Sequence, residues 1–566
     1  MPRRKSGGRP AAARGKRKKQ SAQSAGRRKA PARSAPAAAY LAKAIDDLDL
    51  PGDFPEEALA QAGAFPEVDP EKALARGRRR DLRSRIHVTI DGEDARDFDD
   101  AVSAEKQGDG YRVWVSIADV AGYVKARSPL DREALLRGTS VYLPGRVLPM
   151  LPERLSNGLC SLLPGEPRLT VTCEMVVDGD GRRRSIEIYP SLIRSAARLT
   201  YTQVQSQIDG APDAVPEPVT SVVKDCIEAS RLLRRRRLEK GSLDLEIPDP
   251  EVLFDKGGNP VDVVAREPLS AHQVIEDLMV AANESVAEHL LDRGLEGVYR
   301  VHPPPPREKW QLMAAWAKRF GHPVRTGKEN SPKAVAGLLA RLKQSRQSES
   351  GQMLLLRSLS QAFYSDRVDL HFGLASEAYA HFTSPIRRYP DLLVHRALWN
   401  HWLKKPVLRR LEAAAESSSE TERRAIEAER EIVQVAACLV ARGRLGEVMP
   451  ARVTGVHAAG LFVRPEELFA EGLVPVRTLG ERSGDYFEVW EEAQALVGRR
   501  TRIAYTLGDR LTVRLVEVDL EERRINFEAA APEPQSRGKS AAAGKGAGRR
   551  KAARTKGAGK GGGKKR

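Results

Sequence analysis

Residues 91–100 read Asp91-Gly92-Glu93-Asp94-Ala95-Arg96-Asp97-Phe98-Asp99-Asp100 and place six carboxylates beside a single arginine. Hydrophobic runs typical of β-strands flank this stretch at residues 86–90 and 111–120. Because the strands hold the stretch in place, its like charges are crowded and raise each other's pKa unless a cation intervenes. Oxygen ligands suit Mg²⁺ or Mn²⁺. We therefore expect a metal-dependent active site, in which two ions would clamp the attacking and leaving oxygens of a phosphodiester.

The acidic stretch has two simpler explanations, a solvated loop and a calcium-binding loop. A solvated acidic loop is the commonest fate of such a run. An EF-hand calcium loop fits badly, because the required D-x-[DN]-x-[DN]-G spacing with a later glutamate is absent. Asp97, Asp99 and Asp100 lead directly into Ala101-Val102, which ties them closely to a strand. Metal-dependent chemistry is therefore favoured.

The positive charge of the chain is concentrated at its two ends. The 566 residues carry a net charge of +18, with 13 Lys and Arg in residues 1–34, 12 in residues 536–566, and no acid in either. Removing these 25 cations from the total of 94 leaves 69 basic against 76 acidic side chains, a body near −7. Both ends consist of Ala, Gly, Ser, Lys and Arg without a hydrophobic period, which predicts disordered basic tails.

Other classes of protein are disfavoured by what the sequence lacks. Four scattered cysteines do not form a disulfide framework or a zinc site and are expected to be small buried residues. No apolar run reaches the roughly 18 residues that a membrane span needs, and no secretory signal is present. Motifs for a P-loop, a zinc protease and a serine hydrolase are also absent. A cytoplasmic location is expected.

Composition and periodicity predict an α+β protein in six segments. These are a disordered basic tail (1–39), a connector with one or two short helices at most (40–80), a large catalytic domain (81–400), its helical extension (401–445), a small barrel (446–530) and a second disordered basic tail (531–566).

The large domain alternates two kinds of pattern. Residues 113–117 and 171–177 are typical of strands, and residues 270–292 and 361–364 of helices. In the extension, Ser419-Glu420-Thr421-Glu422 resembles a capping box that begins a helix.

From residue 446 onward, short β-branched runs alternate with glycine turns. Five strands are expected, at residues 448–456, 461–463, 473–476, 502–505 and 511–518. Five short strands within about 80 residues are typical of an OB-type barrel. A barrel that only packs against its neighbour is the alternative.

Several motifs resemble those of one enzyme family in the same order. They are Thr89–Val102 around the acidic stretch, then residues 140–144, 149–153, 155–162, 299–302 and 379–392, and finally Gly460-Leu461-Phe462-Val463 and residues 505–509. This set resembles the ribonuclease R and ribonuclease II (RNB) family of processive 3′→5′ exoribonucleases, whose C-terminal barrel is an S1 RNA-binding motif. The resemblance implies an RNB catalytic domain followed by an S1-type OB barrel.

The resemblance also implies roles for single residues. Four aspartates match the family's Mg²⁺ ligands, namely Asp91, Asp97, Asp99 and Asp100. Asp99 matches the one most directly tied to cleavage, and Arg387 matches an arginine at the scissile phosphate, where a guanidinium suits developing charge. A structural ion pair is the alternative for Arg387.

Further candidate residues concern RNA. Tyr142 matches an aromatic that stacks near the 3′-terminal nucleotide and sets the length of the last product, although it could instead belong to the core. Arg300 and His302 are candidate contacts to the RNA backbone, and structural roles are equally open for both. Phe462 is the stacking candidate of the barrel.

Two departures from the family are visible. Only about 80 residues precede the catalytic segment, so the two cold-shock barrels of ribonuclease R relatives are expected to be missing. In the S1 barrel, Ala459 stands where an RNA-stacking aromatic is usual, and Pro475 replaces a common histidine. We expect this barrel to bind RNA weakly, with compensation by the basic tails.

The sequence therefore predicts a cytoplasmic, Mg²⁺-dependent, processive 3′→5′ exoribonuclease that releases nucleoside 5′-monophosphates in RNA turnover and quality control; Mn²⁺ is an alternative metal. The expected partners are single-stranded RNA and, through the tails, the ribosome or degradation machinery. A monomer without membrane contact is expected. A non-catalytic RNA-binding protein on the same scaffold and a DNA exonuclease remain alternatives, because fold alone does not prove chemistry.

Overall fold

The protein is described here by a computed structural model. It describes residues 37–531, apart from 76, 267, 325–330, 407 and 409. The predicted basic tails lie almost wholly outside these residues, so their disorder stays a prediction. None of the helices in the described part of the chain is long and apolar enough to cross a membrane.

The connector contains more helix than the sequence indicated. It forms α1 (Ala37–Asp46), α2 (Glu56–Gly63) and α3 (Pro70–Ala75), so the expectation of at most two helices was wrong. Prolines fix φ near the helical value and are tolerated in a first turn. Pro55 directly precedes α2 and Pro70 begins α3, so residues that suggested irregular chain instead begin helices.

The large domain follows the connector. Its strands are β1 (Arg80–Asp81), β2 (His87–Asp91), β3 (Asp100–Gln107), β4 (Gly110–Ala118), β5 (Val141–Leu143), β6 (Arg146–Leu148), β7 (Pro167–Val177), β8 (Arg183–Thr200), β9 (Asp249–Phe254), β10 (Pro260–Arg266), β11 (Tyr299–Val301) and β12 (Phe363–Ser365). Its helices are α4 (Val120–Tyr123), α5 (Pro129–Arg137), α6 (Tyr201–Ile208), α7 (Glu217–Lys240), α8 (Ser270–Asp292), α9 (Arg307–Arg319), α10 (Pro332–Lys343), α11 (Ser348–Ser358), α12 (Tyr389–Trp402) and α13 (Leu411–Arg442).

A six-stranded sheet organises this domain in the order β1-β8-β2-β3-β4-β7. The first part of β8 pairs antiparallel with β7, and its last part pairs parallel with β2, from His87↔Ser195 to Asp91↔Thr200. The apolar face packs against α7 and α8, through side chains such as Cys226 and Leu278. The acidic stretch therefore connects two neighbouring strands, β2 and β3, at one end of the sheet.

Two local predictions in this domain were wrong. Residues 361–364 were expected to be helical, but Phe363–Ser365 forms strand β12, which pairs with β11, a contact that local periodicity does not report. Helix α13 begins at Leu411, before the suggested capping box at Ser419. The Ser419 hydroxyl instead donates to the carbonyl of Ala415 one turn earlier at 2.9 Å, as hydroxyls inside helices often do.

The C-terminal part is a closed five-stranded barrel, as expected. Its strands are β13 (Val448–His457), β14 (Gly460–Pro465), β15 (Gly472–Pro475), β19 (Arg510–Asp519) and β20 (Arg524–Ala531). Between β15 and β19 lie α14 (Val476–Ser483) and a separate sheet of β16 (Phe487–Trp490), β17 (Ala495–Gly498) and β18 (Ala504–Thr506). The strand expected at 502–505 thus belongs to the side sheet, and the alanine-rich β20 closes the barrel by pairing with β19.

The cysteines behave as small buried residues. All four are free and buried: Cys160, Cys173, Cys226 and Cys438. Burial raises the pKa of Cys226 above its usual range, which makes thiolate chemistry unfavourable there. This agrees with the structural role that the sequence predicted.

Candidate active site

The acidic stretch is anchored by its one aromatic residue. Phe98 lies buried between Asp97 and Asp99 in a core cluster with Leu162 and Ile386. Its N–H donates to the Ser161 hydroxyl at 3.0 Å, and its carbonyl accepts from the N–H of Leu162 at 3.0 Å. The flanking carboxylates are therefore held at fixed positions at the end of the sheet and are not carried on a mobile loop.

Four of the six carboxylates gather at this end. Asp91 ends β2, Asp100 begins β3, and Asp97 and Asp99 lie between them. Glu93 and Asp94 are exposed, and the carboxylate of Glu93 accepts from the Thr202 hydroxyl at 2.6 Å. The four metal-ligand candidates from the sequence are thus the four less exposed ones.

Burial makes these carboxylates reluctant to ionise without a cation. Burial raises the pKa of Asp91 to about 8, and the carboxylates of Asp100 and Asp97 push it in the same direction. Burial also raises the pKa of Asp100 to about 6, against the opposing effect of two nearby arginines. The pKa of Asp99 lies well above its usual range, again chiefly through burial. A nearby positive charge lowers the pKa values of such carboxyl groups and allows them to ionise.

Two buried carboxylate oxygens in the site have no hydrogen-bond partner within the described part of the chain, namely Asp91 Oδ2 and Asp99 Oδ2. Unpaired buried charge is costly unless a partner such as a metal ion takes it up. Oxygen donors of this kind fit a hard divalent cation such as Mg²⁺. Within the described part of the chain, no three carboxylate, histidine or cysteine side chains already converge as a finished metal cage. The donor chemistry therefore fits a metal, and the carboxylates share one end of the sheet.

Asp99 connects the acidic stretch to the second predicted motif. Its Oδ1 accepts from the N–H of Ile386 at 2.8 Å, and its Oδ2 lies 3.8 Å from Nε of Arg387. The turn that carries Arg387 is fixed in turn, because the Arg387 carbonyl accepts from the N–H of Ser140 at 2.9 Å. Residues almost 300 positions apart are thus joined at one buried carboxylate.

The two adjacent arginines of this turn have different environments. The Arg388 side chain is 19% exposed and pairs with the buried Asp391 at 2.7 Å. The Arg387 side chain is 45% exposed, and its guanidinium donates to the Ser384 hydroxyl at 3.1 Å. Arg388 therefore forms a close structural ion pair, whereas the ion pair of Arg387 with Asp99 is long, at 3.8 Å, and Arg387 retains donors for a ligand.

Tyr142 lies beside the carboxylates and outside the core. It occupies the hairpin of β5 and β6, its side chain is 40% exposed, and its hydroxyl donates to Asp97 Oδ2 at 2.9 Å. Its backbone N–H donates to the carboxylate of Glu429 on α13 at 3.1 Å. The aromatic ring is therefore held next to the carboxylate cluster from two sides.

The remaining RNA-contact candidates already have protein partners. Arg300 pairs with Glu422 at 2.7 Å, and the buried His302 accepts from the N–H of Gly373 at 3.1 Å. Phe462 is half-buried on strand β14 of the barrel. Their roles toward RNA stay predictions.

Sequence reasoning missed two residues that complete the site. Glu429 positions the Tyr142 backbone, and Arg198 on β8 donates to the carbonyls of Gly92 and Glu93, both at 2.6 Å. Arg198 also lowers the pKa of Asp91, against the larger effect of burial. Only the parallel pairing of β2 with β8 brings it to the acidic stretch, and no local pattern in the sequence reports that pairing.

Comparison with known proteins identifies both domains. A family model of the RNB domain matches residues 79–404, and one of the S1 RNA binding domain matches residues 444–529. These matches follow the order that the sequence predicted, a catalytic domain and then an S1-type barrel.

Individual relatives extend the likeness over most of the chain. Ribonuclease R of Aquifex aeolicus is 41% identical over 493 residues, which covers 86% of this chain and 69% of the relative. The solved Mycoplasma genitalium RNase R in complex with ribose methylated single-stranded RNA has a TM-score of 0.80 at 32% identity, covering 86% of this chain and 77% of that one.

A more remote likeness concerns the fold alone. Yeast Ssd1, a pseudonuclease, has a TM-score of 0.61 at 20% identity, covering 77% of this chain and 54% of that one. The fold therefore does not by itself establish catalysis. On the strength of the RNB-domain match and the extended identity to curated ribonucleases R, the chain belongs to the ribonuclease R group of the RNB family, the 3′→5′ exoribonucleases.

Proposed function

We propose that this chain hydrolyses single-stranded RNA from its 3′ end in a Mg²⁺-dependent, processive reaction that releases nucleoside 5′-monophosphates. The observation that carries the proposal is the environment of Asp99. It is a buried carboxylate: one oxygen accepts from the N–H of Ile386, and the other has no hydrogen-bond donor among the described residues and lies 3.8 Å from Nε of Arg387. A protein that only binds RNA has no need to bury a carboxylate in this way, because a buried charge with so little compensation is costly.

Four aspartates would hold the metal: Asp91, Asp97, Asp99 and Asp100. When bound, Mg²⁺ or Mn²⁺ supplies positive charge for the phosphodiester oxygens and makes water a better nucleophile. The chain's own contribution is to hold these carboxylates at the end of the sheet, with Phe98 as their anchor. Burial also excludes bulk water, which strengthens every electrostatic interaction at the site.

Arg387 would stabilise the scissile phosphate. Its guanidinium is a planar fork of donors that suits phosphoryl oxygens, and its only hydrogen bond to a side chain in the described residues is the one to Ser384. The turn is fixed by the bond from Ser140 to the Arg387 carbonyl and by the Arg388–Asp391 ion pair. A donor held rigidly where negative charge develops lowers the barrier without reorganisation during the reaction.

Tyr142 would position the 3′-terminal nucleotide. Its half-exposed ring can stack on any base, which suits an enzyme that reads no sequence. Because its hydroxyl donates to Asp97, the ring is held at a fixed distance from the carboxylates. The last nucleotide would therefore be stacked where its phosphodiester meets Asp99 and Arg387.

RNA is the substrate that the relatives support best. The Mycoplasma genitalium relative has been solved with ribose methylated single-stranded RNA and also with double-stranded RNA. In this chain we assign a backbone or stacking role to the predicted contacts Arg300, His302 and Phe462. A role in RNA turnover and quality control follows from this activity. The basic tails would attach the enzyme, as a monomer, to RNA, the ribosome or degradation machinery.

The test is incubation of the purified protein with single-stranded RNA labelled at its 5′ end, with Mg²⁺ and, in parallel, with a chelator. We expect a ladder that shortens from the 3′ end with Mg²⁺ only, and nucleoside 5′-monophosphates as the released product. Matched single-stranded DNA tests the DNA-exonuclease alternative. Binding without shortening would instead support a non-catalytic RNA-binding protein.

A further inference from the structure

The outer face of the barrel places two arginines directly opposite each other. Arg452 on β13 pairs in register with Arg464 on β14. Their neighbours Val453 and Val463 are buried inside the barrel, so both arginines point to the outside of the sheet. Like charges directly opposite each other on two strands are destabilising. This position therefore requires an anion between the two guanidinium groups.

A residue of the RNB domain supplies that anion. The carboxylate of Glu349, in the first turn of α11, lies 3.2 Å from Nε of Arg452 through Oε2 and 2.7 Å from Nη2 of Arg464 through Oε1. Each arginine thus meets a different carboxylate oxygen. The Arg464 guanidinium also lies 4.3 Å from the ring centre of Phe469, which restricts its orientation.

The other end of α11 contacts the same two strands. Arg357 donates to the carbonyl of Thr454 on β13 at 2.8 Å. A Cβ added at Gly455 would lie 3.3 Å from Cβ of Phe462 and 3.5 Å from Nη1 of Arg357. Phe462 is two residues from Arg464 on β14 and therefore on the same outer face. The stacking candidate of the barrel and the arginine pair thus share one surface along α11.

The chemistry of the pair matches a second ligand besides Glu349. A carboxylate and a phosphodiester both present two anionic oxygens, and arginine binds either through parallel N–H donors. The side chains of Glu349 and Arg452 are 48% and 34% exposed, whereas that of Arg464 is 15% exposed, so a ligand would reach the pair from the side of Arg452. The partly exposed ion pair between Glu349 and Arg452 contributes little to stability. Exchange of the carboxylate for a phosphate is therefore energetically accessible.

We propose that Arg452 and Arg464 form a binding site for one phosphodiester of an RNA strand, and that Glu349 occupies this site when RNA is absent. The proposal rests on the proposed function only in that the chain binds RNA. A strand bound here would lie along the seam between the RNB domain and the barrel, and a base next to the phosphate would reach Phe462. Glu349 acts as an internal competitor that weakens this contact.

The test measures binding of a fluorescent oligouridylate by anisotropy, with the full chain, in chelator to prevent cleavage, across a salt series. Glu349→Gln removes the competing charge and leaves both arginines. We expect it to tighten RNA binding about two- to fivefold, which corresponds to the free energy that a partly exposed ion pair contributes. One more neutralised phosphate should also steepen the salt dependence by a slope of about 0.7.

The matched control is Glu447→Gln, which removes a carboxylate of the same exposure at the start of the barrel, 48%, paired with Arg444 at 2.8 Å. It corrects for the general loss of one negative charge. A second pair of proteins carries Arg452→Ala and Arg464→Ala, with and without Glu349→Gln. In that background the gain from Glu349→Gln should vanish. The melting temperature of each variant is measured to check that the variant is folded.

Equal effects of Glu349→Gln and Glu447→Gln would overturn the proposal, and so would a gain that persists without the two arginines. In both cases wild-type binding and cleavage stay intact, so the proposed function survives. Failure of the wild-type protein to bind RNA at all would overturn the proposal together with the proposed function.

Discussion

Two buried aspartates at neighbouring strand ends show how this molecule separates structural from functional charge. Asp119 follows β4 and accepts from Trp399 Nε1 at 2.8 Å, from the N–H of Gly122 at 3.1 Å, and from Arg79. Asp99 precedes β3, and among the residues that the structure describes only its Oδ1 finds a hydrogen-bond donor. The two strands touch here, because the N–H of Ala118 donates to the Asp99 carbonyl at 2.9 Å.

The net pKa shifts of the two carboxyl groups have opposite signs. Burial by itself raises the pKa of Asp119, but the Arg79 guanidinium and the Trp399 indole outweigh it and hold the pKa below its usual value. The pKa of Asp99 stays well above its usual value, because burial exceeds the effect of Arg387 and the Ile386 N–H. Asp119 with its partners therefore stabilises the fold, whereas Asp99, which has a raised pKa and lies among other carboxylates, is a candidate for binding a ligand.

The largest expected effect concerns Asp99. Asp99→Asn keeps an oxygen for the N–H of Ile386 but removes the charge that would face metal and substrate. We expect cleavage to fall by about 10²–10³-fold or more, as for loss of a preorganised electrostatic contact. RNA binding and melting temperature should change little. The measurement is single-turnover cleavage of 5′-labelled RNA.

Glu93→Gln is the control for Asp99→Asn, because Glu93 belongs to the same acidic stretch but is exposed and bonded to Thr202. It should cleave at nearly the wild-type rate. Loss of activity in both variants would show that the total negative charge of the stretch matters and not the position of Asp99.

Asp119 should show the opposite behaviour. Asp119→Asn leaves the Arg79 guanidinium, whose side chain is mostly buried, without its counter-charge. Breaking a buried ion pair from one side costs about 3–5 kcal/mol. The free energy of unfolding in urea should fall accordingly, with the RNB transition affected and the barrel spared. A change below about 1 kcal/mol, within the range of exposed pairs, would contradict the structural role of Asp119.

The raised pKa values predict a dependence on pH and Mg²⁺. The pKa of Asp91 is about 8 in the folded chain, against 3.8 ordinarily, so the metal-free fold holds a proton between these limits that the unfolded chain releases. In chelator, the free energy of unfolding should therefore decrease as pH rises from 5 to 8. Because Mg²⁺ displaces that proton, its half-saturating concentration should fall up to about tenfold per pH unit for each proton displaced.

Asp91→Asn is the matched variant for this titration. It should reduce the pH dependence of stability in chelator relative to wild type, since the proton that Asp91 holds is gone while Asp99 and Asp100 keep their raised pKa values. Denaturant unfolding of both proteins at several pH values measures this difference. Identical pH dependences for wild type and Asp91→Asn would refute the assignment.

A smaller effect is expected at Tyr142. Tyr142→Ala removes a stacking surface worth about 1–3 kcal/mol per base, enough to change the shortest product that stays bound for another cut. Tyr142→Phe keeps the ring and loses only the bond to Asp97. We expect the alanine variant to change the limit product on a sequencing gel and the phenylalanine variant to keep it. An unchanged product in both would exclude stacking by Tyr142.

The features that sequence could predict are those set by local pattern. The acidic stretch between two strands predicted crowded carboxylates, and the resemblance to the RNB family singled out Asp91, Asp97, Asp99 and Asp100, which the structure places at one end of the sheet. The alternation of β-branched residues likewise predicted the barrel. Helix α8 matches the predicted residues 270–292 because its apolar period is long and uninterrupted.

The features that sequence could not predict depend on distant contacts. Arg198 reaches the acidic stretch only through the pairing of β2 with β8, and Glu429 reaches Tyr142 only because α13 packs against β5. Residue Asn526 of β20 pairs with Leu473 of β15 across more than fifty residues, so the alanine-rich strand that closes the barrel carries little local signal. The resemblance assigned Arg387 to the scissile phosphate, but only the structure shows that its neighbour Arg388 pairs with Asp391.

The central claim is that the unpaired oxygen of Asp99 belongs to a metal site. The most direct measurement is anomalous diffraction from Mn²⁺ in crystals of the protein with RNA whose 3′-terminal linkage cannot be cleaved. We predict that the anomalous peak locates a Mn²⁺ ion bound by Asp99 Oδ2 and by at least one of Asp91, Asp97 and Asp100. The terminal phosphate should contact the same ion, and Arg387 should lie beside that phosphate. A fully occupied Mn²⁺ site elsewhere, with none at Asp99, would contradict the account.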